Sequence, residues 1–326
     1  MSQLDVAGSF PKVGRYAAID CGTNSVKLIV ADLAVGSARP VFSLSETTRI
    51  GTGMQANGMR LQPGPMHATL EAIERFVHAA GENGALETVA IGTAALRDAT
   101  NSAEFLAAVT ERCGVEIEII AGAEEARLSF LAVRRDPHWR ASPRLMVIDI
   151  GGGSTELIQG EEDSDRIRSR TSVNVGAVKL TEATLHSDPP SEEEVQAAKA
   201  AARDAFTAAN IARAGSSKFR VVGVGGTLTN LASMKLGTDA EPEAIHGSIL
   251  YVWEIEALSK ALAERSIAER RTMLGLDPRR ADIILAGSIL LKHALTHIGS
   301  EKVEVSTRGL RWGLLYDRFL PAGNLE

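Results

Sequence analysis

The sequence predicts an α/β protein built as two related lobes, each a sheet covered by helices on both faces, and three observations lead there. A short motif recurs: residues 18–32 (AIDCGTNSVKLIVAD) align with residues 147–161 (VIDIGGGSTELIQGE), placing Asp20 on Asp149, Gly22 on Gly151 and Ser25 on Ser154, 129 residues apart. That spacing is too long for a solenoid repeat and suits one domain. Between and after the copies, strand-like and helix-like segments alternate. Finally, 326 residues exceed what one hydrophobic core usually organises.

Each copy reads as a strand, a tight polar turn and a second strand, that is, a β-hairpin. In the first lobe a strand is predicted over 40–48, a helix over 66–82, a strand over 88–93, a helix over 102–113 and a strand over 116–121. Residues 160–170 (GEEDSDRIRSR) read as the solvated turn of the second hairpin. Ser191 with Glu194, and Ser266 with Glu269, have capping-box spacing, so helices should start there and run through Arg213 and Leu274 respectively. Residues 220–224 and 301–306 read as strands, and 279–296 and 308–319 as helices. A first lobe of 1–121 plus 308–326 and a second of 122–307 follow from the repeat and from the fold discussed below.

The chain holds 35 Lys and Arg against 41 Asp and Glu, a net charge of −6, so whole-protein electrostatics do not suit a nucleic-acid or anionic-membrane binder. An anionic ligand then needs a locally basic site. Two cysteines, Cys21 and Cys113, offer neither a disulfide framework nor metal spacing, and residues 1–11 read as no signal peptide, so a reducing cytoplasm is the expected compartment. The most apolar stretch, 283–291, is far too short for a membrane span.

The strongest chemical signal is the turn Gly151, Gly152, Gly153, Ser154, Thr155 after Asp149. Three glycines clear the approach to the backbone, so its amides can form an anion nest completed by two hydroxyls. A phosphate fits that nest, and Gly22, Thr23, Asn24 and Ser25 repeat it in the first lobe. Asp149, and Asp20 by the repeat, would repel such a phosphate unless a hard cation such as Mg²⁺ lay between them, and Glu156 is near enough to serve the same cation. Where the second copy has Glu156 the first has Lys27, so the cleft should be acidic on one lobe and basic on the other. Gly225 and Gly226 lie between a predicted strand and helix and can present amides to an anion. His246 reads as a structural histidine, and Arg279, Arg280 and Asp282 suit a helix start as well as a substrate. No G-x-x-x-x-G-K-[ST] loop is present, and Cys21 lacks an arginine six residues on, so water is the expected nucleophile.

In order along the chain, AAIDCGTNSVKLIVADL, IGTAALRDATN, IIAGAEEARLSFLAV, VIDIGGGSTELI, VGVGGTLTNLASM, IHGSIL, GLDPRRADIILAGSILL and STRGLRWGLLYD resemble the exopolyphosphatase and guanosine pentaphosphate phosphohydrolase family. The resemblance implies an actin-like fold with the active site in the cleft between two lobes. It implies catalytic carboxylates at Glu125 and Glu156, a metal-associated carboxylate at Asp149, phosphate loops at 22–25 and 151–155, and a phosphate-facing Arg97. Neither composition nor spacing singles out Glu125. Mg²⁺ or Mn²⁺, with K⁺ as a further candidate, would be the cofactor, polyphosphate or (p)ppGpp the ligand, and a homodimer the assembly, with a place in the stringent response. Longer members carry extra helical domains after the point where these residues end, so short polyphosphates are the expected substrate. Trp312 stands where the family often has Glu. A guanosine pentaphosphatase is the rival within this chemistry. A kinase of the same fold and a non-catalytic polyphosphate or alarmone binder are the rivals outside it.

Overall fold

The computed structural model describes residues 14–34, 37–161, 164–209, 219–237 and 241–320. The first sheet contains β1 (Gly14–Cys21), β2 (Val26–Ala34), β3 (Ser37–Glu46), β4 (Glu87–Gly92) and β5 (Ile117–Ile119), in the order β3-β2-β1-β4-β5. The second contains β6 (Leu145–Ile150), β7 (Thr155–Gly160), β8 (Ile167–Val173), β9 (Arg220–Val224), β10 (Ile249–Tyr251) and β11 (Lys302–Val305), in the order β10-β11-β9-β6-β7-β8. Read from β8, the second sheet repeats the first and adds β10 at its edge. The helices are α1 (Pro63–Glu82), α2 (Ala94–Asp98), α3 (Ser102–Cys113), α4 (Gly122–Arg134), α5 (Ala177–Thr184), α6 (Glu192–Ala208), α7 (Gly226–Leu236), α8 (Pro242–Ile245), α9 (Val252–Ala263), α10 (Ile267–Arg270), α11 (Ile284–Ile298) and α12 (Leu310–Phe319).

Because side chains alternate across a strand, β1 supplies two cores at once. Ala17, Ile19 and Cys21 pack with Ile73 and Phe76 of α1 and Phe105 of α3, whereas Tyr16 and Ala18 pack with α4 and α12 on the other face. The second sheet is likewise covered on both faces, by α11 and its neighbours against Ile148 and Ile150, and by α4 with Trp139 against Val147, Val222 and Val224. The two-lobed α/β architecture read from the repeat is therefore present.

Helix α4 belongs to both cores. Leu128, Leu131 and Ala132 face the first sheet, and Ala126, Phe130 and Val133 face the second. It crosses α12 so closely that a Cβ on Gly313 would stand 1.8 Å from the Leu128 carbonyl oxygen, so only glycine fits there. Trp312 is buried on α12, with the Arg308 guanidinium over its ring at 4.6 Å.

Several boundaries differ from the sequence reading. Both capping boxes form, at Ser191 with Glu194 and Ser266 with Glu269. The second helix, however, ends at Arg270 and not at residue 274. Residues 278–280 form a short 3-10 turn whose Arg279 amide donates to the Asp277 side chain, which delays α11 to Ile284. β8 starts at Ile167, inside the segment read as a turn. The predicted end of α6 at Arg213 lies outside the described residues. Among the described residues no helix is long and apolar enough to cross a membrane.

Candidate active site in the interlobe cleft

The two hairpins superimpose residue for residue in their pairing. Asp20 pairs with Lys27 across β1 and β2, and Asp149 pairs with Glu156 across β6 and β7. Both turns close by the same bond, from the Gly22 amide to the Ser25 carbonyl at 3.1 Å and from the Gly151 amide to the Ser154 carbonyl at 3.0 Å. The turns face each other and touch, since a Cβ on Gly152 would come within 3.1 Å of Thr23 Cβ and 3.4 Å of the Asn24 nitrogen. Glycine here lets the two turn backbones approach from opposite lobes.

A cleft of ≈ 310 Å³ opens beside them. Its walls include Asp20, Gly22, Thr23, Asn24, Ser25 and Lys27 from the first lobe, and Glu125, Asp149, Gly151, Gly152, Gly153, Ser154, Gly225 and Gly226 from α4 and the second. Gly225 has φ +93°, and a Cβ on it would sit 2.9 Å from Asp149 Oδ1, so the backbone passes against the carboxylate only as glycine. Arg97, Thr155 and Glu156 lie behind these walls and do not line the cleft. Thr155 Oγ1 donates to the Val175 carbonyl at 2.7 Å. Arg97 Nη1 donates to the Ile120 carbonyl at 3.0 Å and to Glu125 Oε2 at 3.4 Å, so its guanidinium stands on the catalytic candidate.

The acidic end is strongly perturbed. Burial, with the charges of Asp149 and Asp20 added, raises the Glu125 carboxyl well above the usual range, against the opposing pull of Arg97. Burial together with Glu125 and Asp149 also raises Glu156 well above the usual range, although Ser172 Oγ donates to it at 3.0 Å. Burial also raises Asp20 and Asp149, and Ser129 Oγ donates to Asp149 Oδ2 at 2.7 Å. Four carboxylates crowded in a poorly solvated site are mutually repelling, and such clusters mark functional sites more often than structural ones.

Opposite them sit cations. Lys27 is half-buried, and burial lowers its ammonium to about 8 despite the neighbouring Asp20. Arg279, Arg280 and Arg311 also line the cleft. Arg280 lies against the Gly226 backbone and its buried Nε has no partner, while Arg311 donates to the Leu28 carbonyl. Sequence reasoning does not single out Arg311, Ser129 or Ser172: Arg311 reaches the cleft only because α12 returns to it, and the two serines face it only through Asp149 and Glu156.

At the acidic end, buried Asp20 Oδ1 and Glu156 Oε2 have no hydrogen-bond partner. Among the described residues no three His, Cys, Asp or Glu side chains converge as a ready-made metal cage. Mg²⁺ seldom uses such a cage, preferring one or two carboxylates together with water and substrate phosphates, so the donor set suits it.

These features define a class: a two-lobed α/β enzyme whose cleft opposes backbone anion nests and cations to a cluster of carboxylates. Comparison with known proteins narrows it. Residues 29–321 match the Ppx/GppA phosphatase family, so the chain belongs to that family and is a phosphate-hydrolysing enzyme. It is 31% identical over 314 residues to exopolyphosphatase 2 of Mycobacterium tuberculosis, covering 92% of this chain and 97% of that one. It is 30% identical to exopolyphosphatase 1 of the same organism, covering 92% and 87%. Among solved structures, the Aquifex aeolicus Ppx/GppA family member superimposes with a TM-score of 0.76 at 30% identity, covering 94% and 98%. An exopolyphosphatase-like protein superimposes with a TM-score of 0.86 at 27% identity, covering 93% and 97%.

Proposed function

We propose that the protein is an exopolyphosphatase that removes the terminal phosphate of inorganic polyphosphate by direct attack of water. The observation that carries this reading is the composition of the cleft wall. Amides, hydroxyls and four cations share the wall with four carboxylates, Asp20, Glu125, Asp149 and the Arg279-paired Asp277, and among the described residues no aromatic side chain lines the cleft. A chain of phosphates offers such a wall repeated anions, whereas a guanine base would find no ring to stack on.

The chemistry follows from the placement of groups. The turn amides of 22–25 and 151–154 hold the terminal phosphoryl oxygens as a preorganised nest. Lys27, Arg279, Arg280 and Arg311 hold the phosphates behind it. Glu125, at the first turn of α4, orients a water and takes its proton during in-line attack, for which a raised carboxyl is better matched to neutral pH than an ordinary one. Arg97 fixes that carboxyl from behind. Glu156, wholly buried, keeps Glu125 basic by repulsion and by sharing its proton load. Asp20 and Asp149 would hold Mg²⁺, or Mn²⁺, together with substrate oxygens. When bound, such a cation supplies charge neutralisation for the phosphoryl group and its leaving phosphate.

Phosphate release from polyphosphate and from guanosine pentaphosphate, measured side by side in magnesium buffer, tests the reading. The account predicts a higher kcat/KM for polyphosphate. A higher value for guanosine pentaphosphate would replace it with the nucleotide reading, and ATP-dependent phosphorylation of an acceptor would replace it with a kinase.

A further inference from the structure

The segment read as a structural histidine motif, IHGSIL, has a more definite place than that. His246 sits between the two chain crossings that join the lobes. Its Nε2 stands 3.5 Å from Oδ2 of Asp136, just beyond the end of α4. Its Nδ1 stands 3.2 Å from Thr307 Oγ1 and accepts from the Thr307 backbone amide at 3.4 Å, just before α12. The adjacent Arg308 places Nε 3.3 Å from the same Asp136 oxygen. Thr307 itself lines the catalytic cleft.

The tautomer follows from the partners. A nitrogen that accepts from a backbone amide carries no proton, so Nδ1 is the acceptor and Nε2 carries the hydrogen toward the carboxylate. Asp136 faces that hydrogen at ion-pair distance, with no hydrogen bond closed on its Oδ2; burial opposes its charge, but the His246 ring, the His138 amide and Arg308 together hold its carboxyl below the usual range. At 3.2 Å the Thr307 hydroxyl can only donate to an unprotonated Nδ1, and because the Thr307 amide remains on that nitrogen the hydroxyl can turn its proton to a phosphate oxygen when substrate enters the cleft. His138 packs edge-on to His246 at 5.7 Å and Trp139 lies tilted at 4.7 Å, so the ring is flanked by two aromatic neighbours.

We infer that His246 is a positioning residue: braced by Asp136, it holds Thr307 on the cleft wall as a hydrogen-bond donor to the substrate's phosphate chain. The inference rests on the proposed polyphosphate reading and adds to it a residue that never touches substrate. It also ties substrate binding to the junction of the lobes, because Asp136 and Arg308 lie at the two crossings.

The test separates the two faces of the ring. An asparagine amide reaches the place of Nδ1 and a glutamine amide the place of Nε2. KM and kcat for polyphosphate are measured for wild type, T307A, H246Q, H246N and H246Q/T307A, with thermal melts to show that each folds. T307A and H246Q should each raise KM roughly three- to tenfold with kcat held within about twofold, the signature of a lost ground-state contact. The double variant should be no worse than the poorer single, because both remove one interaction, and H246N should recover most of the H246Q loss. Multiplying effects, an H246N as impaired as H246Q, or a fall in kcat at constant KM would overturn the assignment, and so would a T307A enzyme with unchanged KM. If wild type releases no phosphate from polyphosphate, the parent reading falls first and this one with it, which the wild-type arm alone reports.

Discussion

Lys27 and Glu156 occupy the same place in the two hairpins, each paired across its strand to the hairpin's aspartate. One supplies a cation and the other an acid, which makes a nearly symmetric cleft chemically directional. Lys27 is the more easily tested of the two. Burial lowers its ammonium to about 8, so its charge is full below that pH and is lost as pH rises through it. KM for polyphosphate should therefore rise above pH 8 in the wild type, and K27R should flatten that rise, since a guanidinium stays charged throughout. A KM profile identical in both enzymes would show that Lys27 does not hold the substrate. The two hairpins and the equivalence of Lys27 with Glu156 are legible in the sequence; the pairing of each with its hairpin's aspartate comes with the register that the structure shows. Glu125 is not legible in the sequence. Nothing local distinguishes it from its first-turn neighbour Glu124, and only the family resemblance marks it; the fold then buries it among carboxylates 24 or more residues away.

Helix α4 carries the argument at the scale of elements. Its apolar residues are split between two sheets, so its first turn, and with it Glu125, is fixed relative to both hairpin turns at once. That position depends on the crossing with α12. G313A would drive a Cβ into the Leu128 carbonyl, a backbone clash that no rotamer relieves. The expected cost is about 1–3 kcal/mol or more, because overpacking a tight contact forces backbone shifts. Chemical denaturation reads it directly, and a G313A protein as stable as wild type would show that α4 and α12 are free to separate. The sequence places α12, over 308–319, but neither α4 nor the crossing, since a glycine inside a helix signals close approach without naming the partner. The misplaced start of α11 has a similar cause: Asp277 captures the Arg279 amide and side chain, so three residues of helix-like composition are held in a tighter turn.

For the whole molecule, the lobes are related by the repeat but joined asymmetrically. They meet through the touching turns and through ion pairs that span the cleft, Lys179 with Asp98 at 3.0 Å and Arg49 with Asp282. The 129-residue repeat announced two lobes and a cleft. It did not announce that the cleft would place three arginines opposite the acidic end, because Arg279, Arg280 and Arg311 come from segments that the repeat does not contain. The whole arrangement converges on a single claim, that the carboxylate at Glu125 activates water against a phosphoryl group held by both lobes. The most direct test is the rate of phosphate release from polyphosphate by E125Q, beside its binding of the same chain. The account predicts a loss of about 10²–10⁴-fold in kcat, the usual contribution of a general base, with binding retained because glutamine keeps the shape and removes the base. Turnover by E125Q at the wild-type rate would contradict it.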